Sequence, residues 1–569
     1  MKDRNMDPEL VVGTVLEDWT RSRYESLPRS GLRESAKLAR DPSIRALTEL
    51  LEEQDLLTGA YWLSSTYAVL SEESYRKSMA MYFTPPGLTL RLLDDLEGMG
   101  VDFAARTFCD PACGGAAFLA PIASRMRLVL KRRGVPPREI LTRMTSQLSG
   151  VDKDRVLCEL SRHFLLMVLY EDILAARATP AFQIEHGDSF QLLADRGGTL
   201  DVIVSNPPFR KMSAEEAGSY RGAVGEVLQG QPNIYGLFMA MSVKLLRPRG
   251  VCALVTPTSF LSGEYFGRLR GFLRDNSTIA AVSVLSDRDG VFLGVQQETA
   301  ITVLEKPKAG TKPLPEAAIS VVDREGVRVP LGSTRLPEGS LAWPIPRIET
   351  DAELIRRVSL LKHRIVDYGY RARIGGFVWN RDCHETYATL ADVPKGRRAR
   401  IVPLLWSSDI DAATGRIKFG RAKRRVEPRY VDMGCREHSY IVRSPCVLLQ
   451  RVTSNDQPRR LVPAAITKSF LKKHKGFVGE NHLVILERVD SHSPFSPHDM
   501  VSLMTCPAIE RFFRCISGST NVSVFELGQI PLPDPKSLLA LVAQKVDLQA
   551  AAERLLAEPM TSGTTQPGK

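Results

Sequence analysis

In the segment D-V-I-V-S-N-P-P-F, an apolar β-branched run delivers Asn206, Pro207, Pro208 and Phe209 to one corner. An amide oxygen from Asn206 and the backbone carbonyl of Pro207 can each accept one hydrogen of an amino group. Gripped in this way, the nitrogen of a conjugated amine is steered toward tetrahedral geometry, and positive charge developing on it during a group transfer is stabilised. Pro208 restricts Pro207 to extended conformations, so that carbonyl points in one fixed direction. Phe209 offers a flat face for stacking a ring. Taken alone, N-P-P after a strand is also a rigid turn, and its meaning depends on its company.

That company begins with T-F-C-D-P-A-C-G-G-A-A-F-L, where a strand ends at Asp110 and a turn of small residues leads into a helix starting near Phe118. At such a junction backbone N–H groups meet the polar parts of a ligand, and small side chains let the backbone come close. In L-S-G-V-D-K-D, Asp152 ends the next strand, where a carboxylate accepts both hydroxyls of a ribose. In I-E-H-G-D-S-F, Asp188 ends a third strand and suits an adenine amino group. Three strand-end acids in succession suit an adenosine-containing cofactor.

D-P-A-C-G resembles the first motif of DNA N6-adenine methyltransferases, and M-Y-F-T-P-P resembles the additional cofactor motif that precedes it in their gamma-class, TaqI-like arrangement. The family pattern closes D-P-A-C-G-S-G, and here Gly115 and Ala116 fill its last two places. The resemblance implies a Rossmann-like S-adenosylmethionine-dependent methyltransferase sheet. It implies that Thr84, Asp110, Pro111, Ala112, Gly114, Phe118, Asp152, Asp188 and Asn206 hold S-adenosyl-L-methionine, with Asp110 to Gly114 cradling its methionine end and Thr84 touching the methionine carboxylate. Asn206, Pro207, Pro208 and Phe209 would then act on the N6 amino group of an adenine flipped out of duplex DNA. Phe292, in D-G-V-F-L-G-V-Q-Q-E-T-A, resembles the aromatic that closes on the base's other face. The implied biology is the modification enzyme of a type II restriction-modification system, beside a cognate restriction endonuclease. The alternatives are a methyltransferase acting on rRNA or a protein glutamine, and a combined restriction-modification enzyme.

The elements that must position these residues follow from patterning. Residues 1–80 read as amphipathic helix, with apolar residues returning every three or four positions. Residues 81–310 alternate short apolar runs with helical segments, as in a doubly wound α/β catalytic domain. The runs ARTFCD, QLSGVD, DVIVSN, VCALVTP, AAVSVL and ETAITVLE are its strands. Residues 311–345, rich in proline, glycine and charge, read as a linker. Residues 346–540 read as a separate mixed α/β target-recognition domain, and 541–569 as a terminal helix with a disordered tail.

Net charge is +11. It is unevenly placed: about −1 over residues 1–330 and roughly +12 over 331–569, which assigns a polyanionic partner, double-stranded DNA, to the later half. Arg424, Arg425 and Arg451 are its candidate DNA contacts. With the basic domain in the same chain, no separate specificity subunit is expected. The nine cysteines show no zinc-ligand spacing, so no metal is expected. No apolar run is long enough to cross a bilayer, and the charged opening MKDRNMDPEL lacks a secretory signal, which together read as a cytoplasmic protein.

Overall fold

The computed structural model describes residues 6–286, 297–339, 341–419, 427–434, 439–453, 457–517 and 520–557. Its main sheet has nine strands: β1 (Phe108–Asp110), β2 (Leu148–Asp152), β3 (Gln183–His186), β4 (Leu200–Ser205), β5 (Leu246–Pro257), β6 (Thr278–Leu285), β7 (Thr299–Glu305), β8 (Glu316–Val322) and β9 (Arg328–Arg335). They run in the order β3-β2-β1-β4-β5-β7-β6-β8-β9. The first five pair in parallel, and β7 enters antiparallel between β5 and β6. All six residues of β4 are buried, which explains why its sequence is an apolar run without alternation: a central parallel strand is covered on both faces. The order reverses at β1, whose neighbours are β2 and β4, so a crevice opens beyond the carboxyl ends of these strands. The strands expected from Asp110 to Glu305 are all present.

The amino-terminal helices are α1 (Pro8–Arg23), α2 (Pro42–Glu53), α3 (Leu56–Leu70) and α4 (Glu73–Met79). Caps fix their starts: Asp7 accepts from the N–H groups of Glu9 and Leu10, and Asp55 from those of Leu57 and Thr58. Val11, Val15, Leu16, Trp19 and Leu63 are fully buried in the same core as the strand residues Val202 and Val204. Each such side chain contributes roughly 1.5–3 kcal/mol, against at most about 0.5 kcal/mol for an exposed helix pair such as Lys77–Glu73. Burial therefore joins these helices to the sheet. Further helices of this unit include α5 (Pro86–Gly98), α6 (Leu119–Arg132), α7 (Pro137–Gln147) and α8 (Arg155–Val168), with others at Ile234–Leu245 and Gly267–Asn276 packed on β5 and β6.

The segment read as a linker is not one. Residues 316–322 and 328–335 form the β8–β9 hairpin at the sheet edge. Its composition misled because edge strands tolerate what central strands do not: Pro330 sits on the outermost strand, beside a register shift.

By contacts the chain divides into Met1–Phe260 with Tyr265–Ser340, and Leu261–Glu264 with Leu341–Lys569. The second unit holds a six-stranded and a five-stranded sheet, with helices at Asp351–Val358, Pro497–Met504, Pro507–Ile516 and Leu548–Ala557 among others. Its core gathers Tyr368, Val447, Leu486, Phe513 and Leu532. Among the described residues no helix is long and apolar enough to cross a membrane.

Candidate active site

The crevice at the carboxyl ends of β1 to β4 is a cavity of about 340 Å3. Thr84, Asp110, Pro111, Ala112, Gly114, Phe118, Asp152, Asp188, Asn206 and Pro208 all line it. These residues come from positions spread over 125 places in sequence, and the strand order gathers them. From the end of β3 to the end of β4 are three strand spacings, about 14 Å, so the cavity is elongated across the sheet.

Asp110 is buried at the end of β1. Its Oδ1 accepts from Ala112 N at 3.0 Å and from Ser205 Oγ at 2.7 Å. Its Oδ2 is buried with no hydrogen-bond partner among the described residues. Burial pushes its carboxyl up to about 7 despite those two hydrogen bonds, and the nearby negative charge of Asp152 adds to the rise. Asp152 accepts from Gly114 N at 2.9 Å and Asp154 N at 2.8 Å, and burial raises it to about 6. Both acids line one cavity, with acceptor positions left for hydrogen-bond donors.

The turn between β1 and α6 is shaped for close approach. Gly114 has φ +51°, and a Cβ there would stand 3.1 Å from the Phe83 ring. A Cβ on Gly115 would stand 1.9 Å from Ser64 Oγ of α3. Ala116, at the last small position, is held at φ +58°, a left-handed conformation that costs an alanine roughly 1 kcal/mol. The turn keeps its shape with alanine in that place.

At the end of β4, Asn206 Nδ2 donates to the Tyr82 carbonyl at 3.0 Å and to Thr84 Oγ1 at 3.1 Å. A carbonyl can only accept, so the amide is fixed with its nitrogen toward that strand of chain. Its oxygen is left as an acceptor beside the cavity. Pro207 is buried, and Phe209 stands outside the cavity lining, its ring edge-on to Tyr235 with centroids 6.2 Å apart.

Asp188 lies just past β3 and caps a short helix by accepting from Phe190 N at 2.9 Å. Burial works against its charge, but Lys153, Phe190 N and Tyr220 outweigh it and hold the carboxyl below its ordinary value. Lys153 Nζ reaches Asp188 Oδ2 at 2.8 Å, and Tyr220 OH donates to the same oxygen at 3.0 Å. Lys153 and Tyr220 line the cavity and were not foreseen from sequence. Lys153 follows Asp152 directly and could have been suspected on that ground. Tyr220 lies in the polar, glycine-containing residues 210–236, which form a folded cap with short helices at Ala214–Ser219 and Arg221–Val224. Met212, Tyr220, Val224 and Val227 are buried beneath it, and a bridge from Lys211 to Asn233 closes its neck.

Of the other expected contacts, Phe292, Arg424 and Arg425 lie outside the described residues. Arg451 follows a strand of the second unit, half-buried, and its Nη1 donates to the Asn481 carbonyl at 3.0 Å.

A doubly wound sheet with an antiparallel strand inserted between β5 and β6, and a strand-end site of this composition, define the methyltransferase fold. Residues 146–292, which include Asp152, Asp188 and Asn206, match the family described as Eco57I restriction-modification methylase. It is 23% identical over 366 residues to the Type II methyltransferase M.BsuBI of Bacillus subtilis, covering 62% of this chain and 69% of that one. It is also 23% identical over 370 residues to the Type II methyltransferase M.PstI of Providencia stuartii, covering 63% and 69%. Among solved structures, the Type IIL restriction-modification enzyme MmeI in complex with DNA shares the fold with a TM-score of 0.51 at 12% identity, over 97% of this chain and 84% of that one.

Proposed function

We propose that this chain is a site-specific DNA methyltransferase that transfers a methyl group from S-adenosyl-L-methionine to the N6 amino group of an adenine extruded from duplex DNA, as the modification enzyme of a restriction-modification system. The observation that carries the reading is the orientation of Asn206. Both of its amide hydrogens are taken by acceptors on its far side, so its oxygen is free to accept an amino hydrogen.

The cofactor site fits its ligand on three counts. The unpaired Oδ2 of Asp110 suits the ammonium of the methionine end. Asp152 keeps lone pairs for the ribose hydroxyls, and Asp188 keeps one for the purine amino group. The glycine turn leaves room for the backbone to approach. When bound, the cofactor supplies an electrophilic sulfonium methyl. The chain's own contribution is to hold the amino nitrogen by Asn206 Oδ1 and the Pro207 carbonyl, and to offer the Phe209 ring to the base. Proximity and orientation then account for much of the acceleration without a strong general base.

The division of labour we assign follows the charge. The unit containing the sheet carries the chemistry, and the later unit, with a net charge of roughly +12, binds phosphates and reads the target. The relatives are named Type II methyltransferases, and the MmeI structure that shares the fold holds DNA, which supports DNA as substrate and a cognate endonuclease as partner.

The test is direct. Purified protein is incubated with labelled S-adenosyl-L-methionine and duplex DNA, and the product is digested to nucleosides for mass spectrometry. Label in N6-methyl-deoxyadenosine at a recurring sequence is expected. Label on cytosine, on RNA or on a glutamine peptide alone would overturn the assignment.

A further inference from the structure

Tyr220 is the wall between two cavities. On one side is the crevice already described, and on the other a hollow of about 590 Å3 with Leu193, Met241 and Leu245 in its lining. Tyr220, Phe190, Ser189 and Asp188 line both. The Tyr220 ring is buried and leans on Phe190 at 4.6 Å between centroids, and Phe190 in turn meets Phe238 at 5.1 Å. Its hydroxyl is pinned to Asp188 Oδ2, with Lys153 Nζ 3.1 Å away and also bound to that carboxylate.

This arrangement sets what Asp188 can still accept. A carboxylate offers about four acceptor positions. Phe190 N, Tyr220 OH and Lys153 Nζ fill three of them, which leaves one for a ligand N–H. A purine amino group bound at that last position would share the Asp188 carboxylate with the Tyr220 hydroxyl, so a substituent on it would have the Tyr220 ring, backed by Phe190, as its neighbour.

We infer that Tyr220, locked by Asp188 and Lys153, is the specificity-determining residue at the nucleoside end of the site, restricting it to a cofactor whose purine amino group is unsubstituted. The inference rests on the reading of Asp188 as the partner of that amino group. The cap that carries Tyr220 thereby completes the cofactor pocket, and the hollow behind the ring is the space a substituent would need.

The experiment compares binding of S-adenosylhomocysteine and its N6-benzyl derivative by isothermal titration calorimetry. The wild-type protein should bind the parent compound and take the benzyl derivative roughly 100-fold more weakly or worse. Tyr220→Phe keeps the ring and should keep the exclusion. Tyr220→Ala opens the partition and should bring the two ligands to within about fivefold of each other. If Tyr220→Ala fails to melt cooperatively, Tyr220→Leu, which still covers Phe190, should show the same narrowing. A wild-type protein that binds both ligands alike, or a folded Ala or Leu variant that binds the parent and still rejects the derivative, overturns the inference. Binding of neither ligand by the wild type would instead remove the cofactor reading on which it rests.

Discussion

Asn206 Nδ2 stands 3.1 Å from Thr84 Oγ1, joining the end of β4 to a segment 122 residues earlier in the chain. With the Tyr82 carbonyl as the second acceptor, this bond decides which face of the amide looks into the cavity. Asn206→Ala should retain cofactor binding and lose turnover by roughly 100- to 1000-fold, as removal of a preorganised polar group at a reacting centre does. Thr84→Val, which keeps the shape and removes the acceptor, should lower kcat by about tenfold. Single-turnover methylation of duplex DNA measures both, and near-normal rates for Asn206→Ala would defeat the role given to it.

Cofactor affinity should depend on pH through Asp110. Its carboxyl is raised from an ordinary 3.8 to about 7 by burial, with Asp152 adding to the rise. A folded-state value above the unfolded one means the folded protein holds a proton the unfolded chain has lost. The stability cost is absent below about pH 4, grows as pH climbs, and is complete above 7. A cationic ligand favours the ionised form, so affinity for S-adenosyl-L-methionine should fall by up to about tenfold per pH unit below 7. Asp110→Asn should flatten that profile, weaken binding, and leave the ligand-free protein at least as stable at pH 8. Calorimetry from pH 5.5 to 8 decides it, and a flat wild-type profile would count against Asp110 as the charge partner.

Gly115 is required by packing. Its would-be Cβ overlaps Ser64 Oγ at 1.9 Å and Ser64 Cβ at 2.7 Å, and both belong to helix α3. Gly115→Ala should destabilise the protein by about 2 kcal/mol or more. Adding Ser64→Gly should recover much of that loss, which thermal melting of the single and double variants reports. Equal melting temperatures for wild type and Gly115→Ala would show that the helix does not press on the turn.

Phe209 stands outside the lining of the strand-end cavity. Phe209→Ala should therefore leave the cofactor Kd within about threefold while lowering kcat/KM on duplex DNA by roughly 10- to 100-fold, the scale of one lost base–aromatic stack. Loss of cofactor uptake with normal DNA kinetics in the loaded enzyme would reassign that ring.

Much of this molecule was legible in one dimension. The strands ending at Asp110, Asp152 and Asn206 could be read because parallel strands buried on both faces leave apolar runs, and the turn after β1 because close approach excludes side chains. Each is a local constraint that leaves a local trace. What failed to show were features held together by distance. Proline and charge in residues 311–345 signalled a linker, yet an edge hairpin tolerates both because one of its sides bonds to no strand. The cap around Tyr220 left no trace in the sequence pattern because its helices, of six and four residues, are too short to display a period.

By itself the sequence determined the kinds of group present and the strand ends that carry them, because backbone pairing and burial write their demands residue by residue. Only the tertiary structure decided that the Asn206 amide turns its oxygen inward and that Asp110 keeps an unpaired oxygen. It alone brought Tyr220 onto Asp188 across 32 positions. Such orientations depend on which acceptors and rings the fold brings within about 3 Å, and chain order carries no record of that.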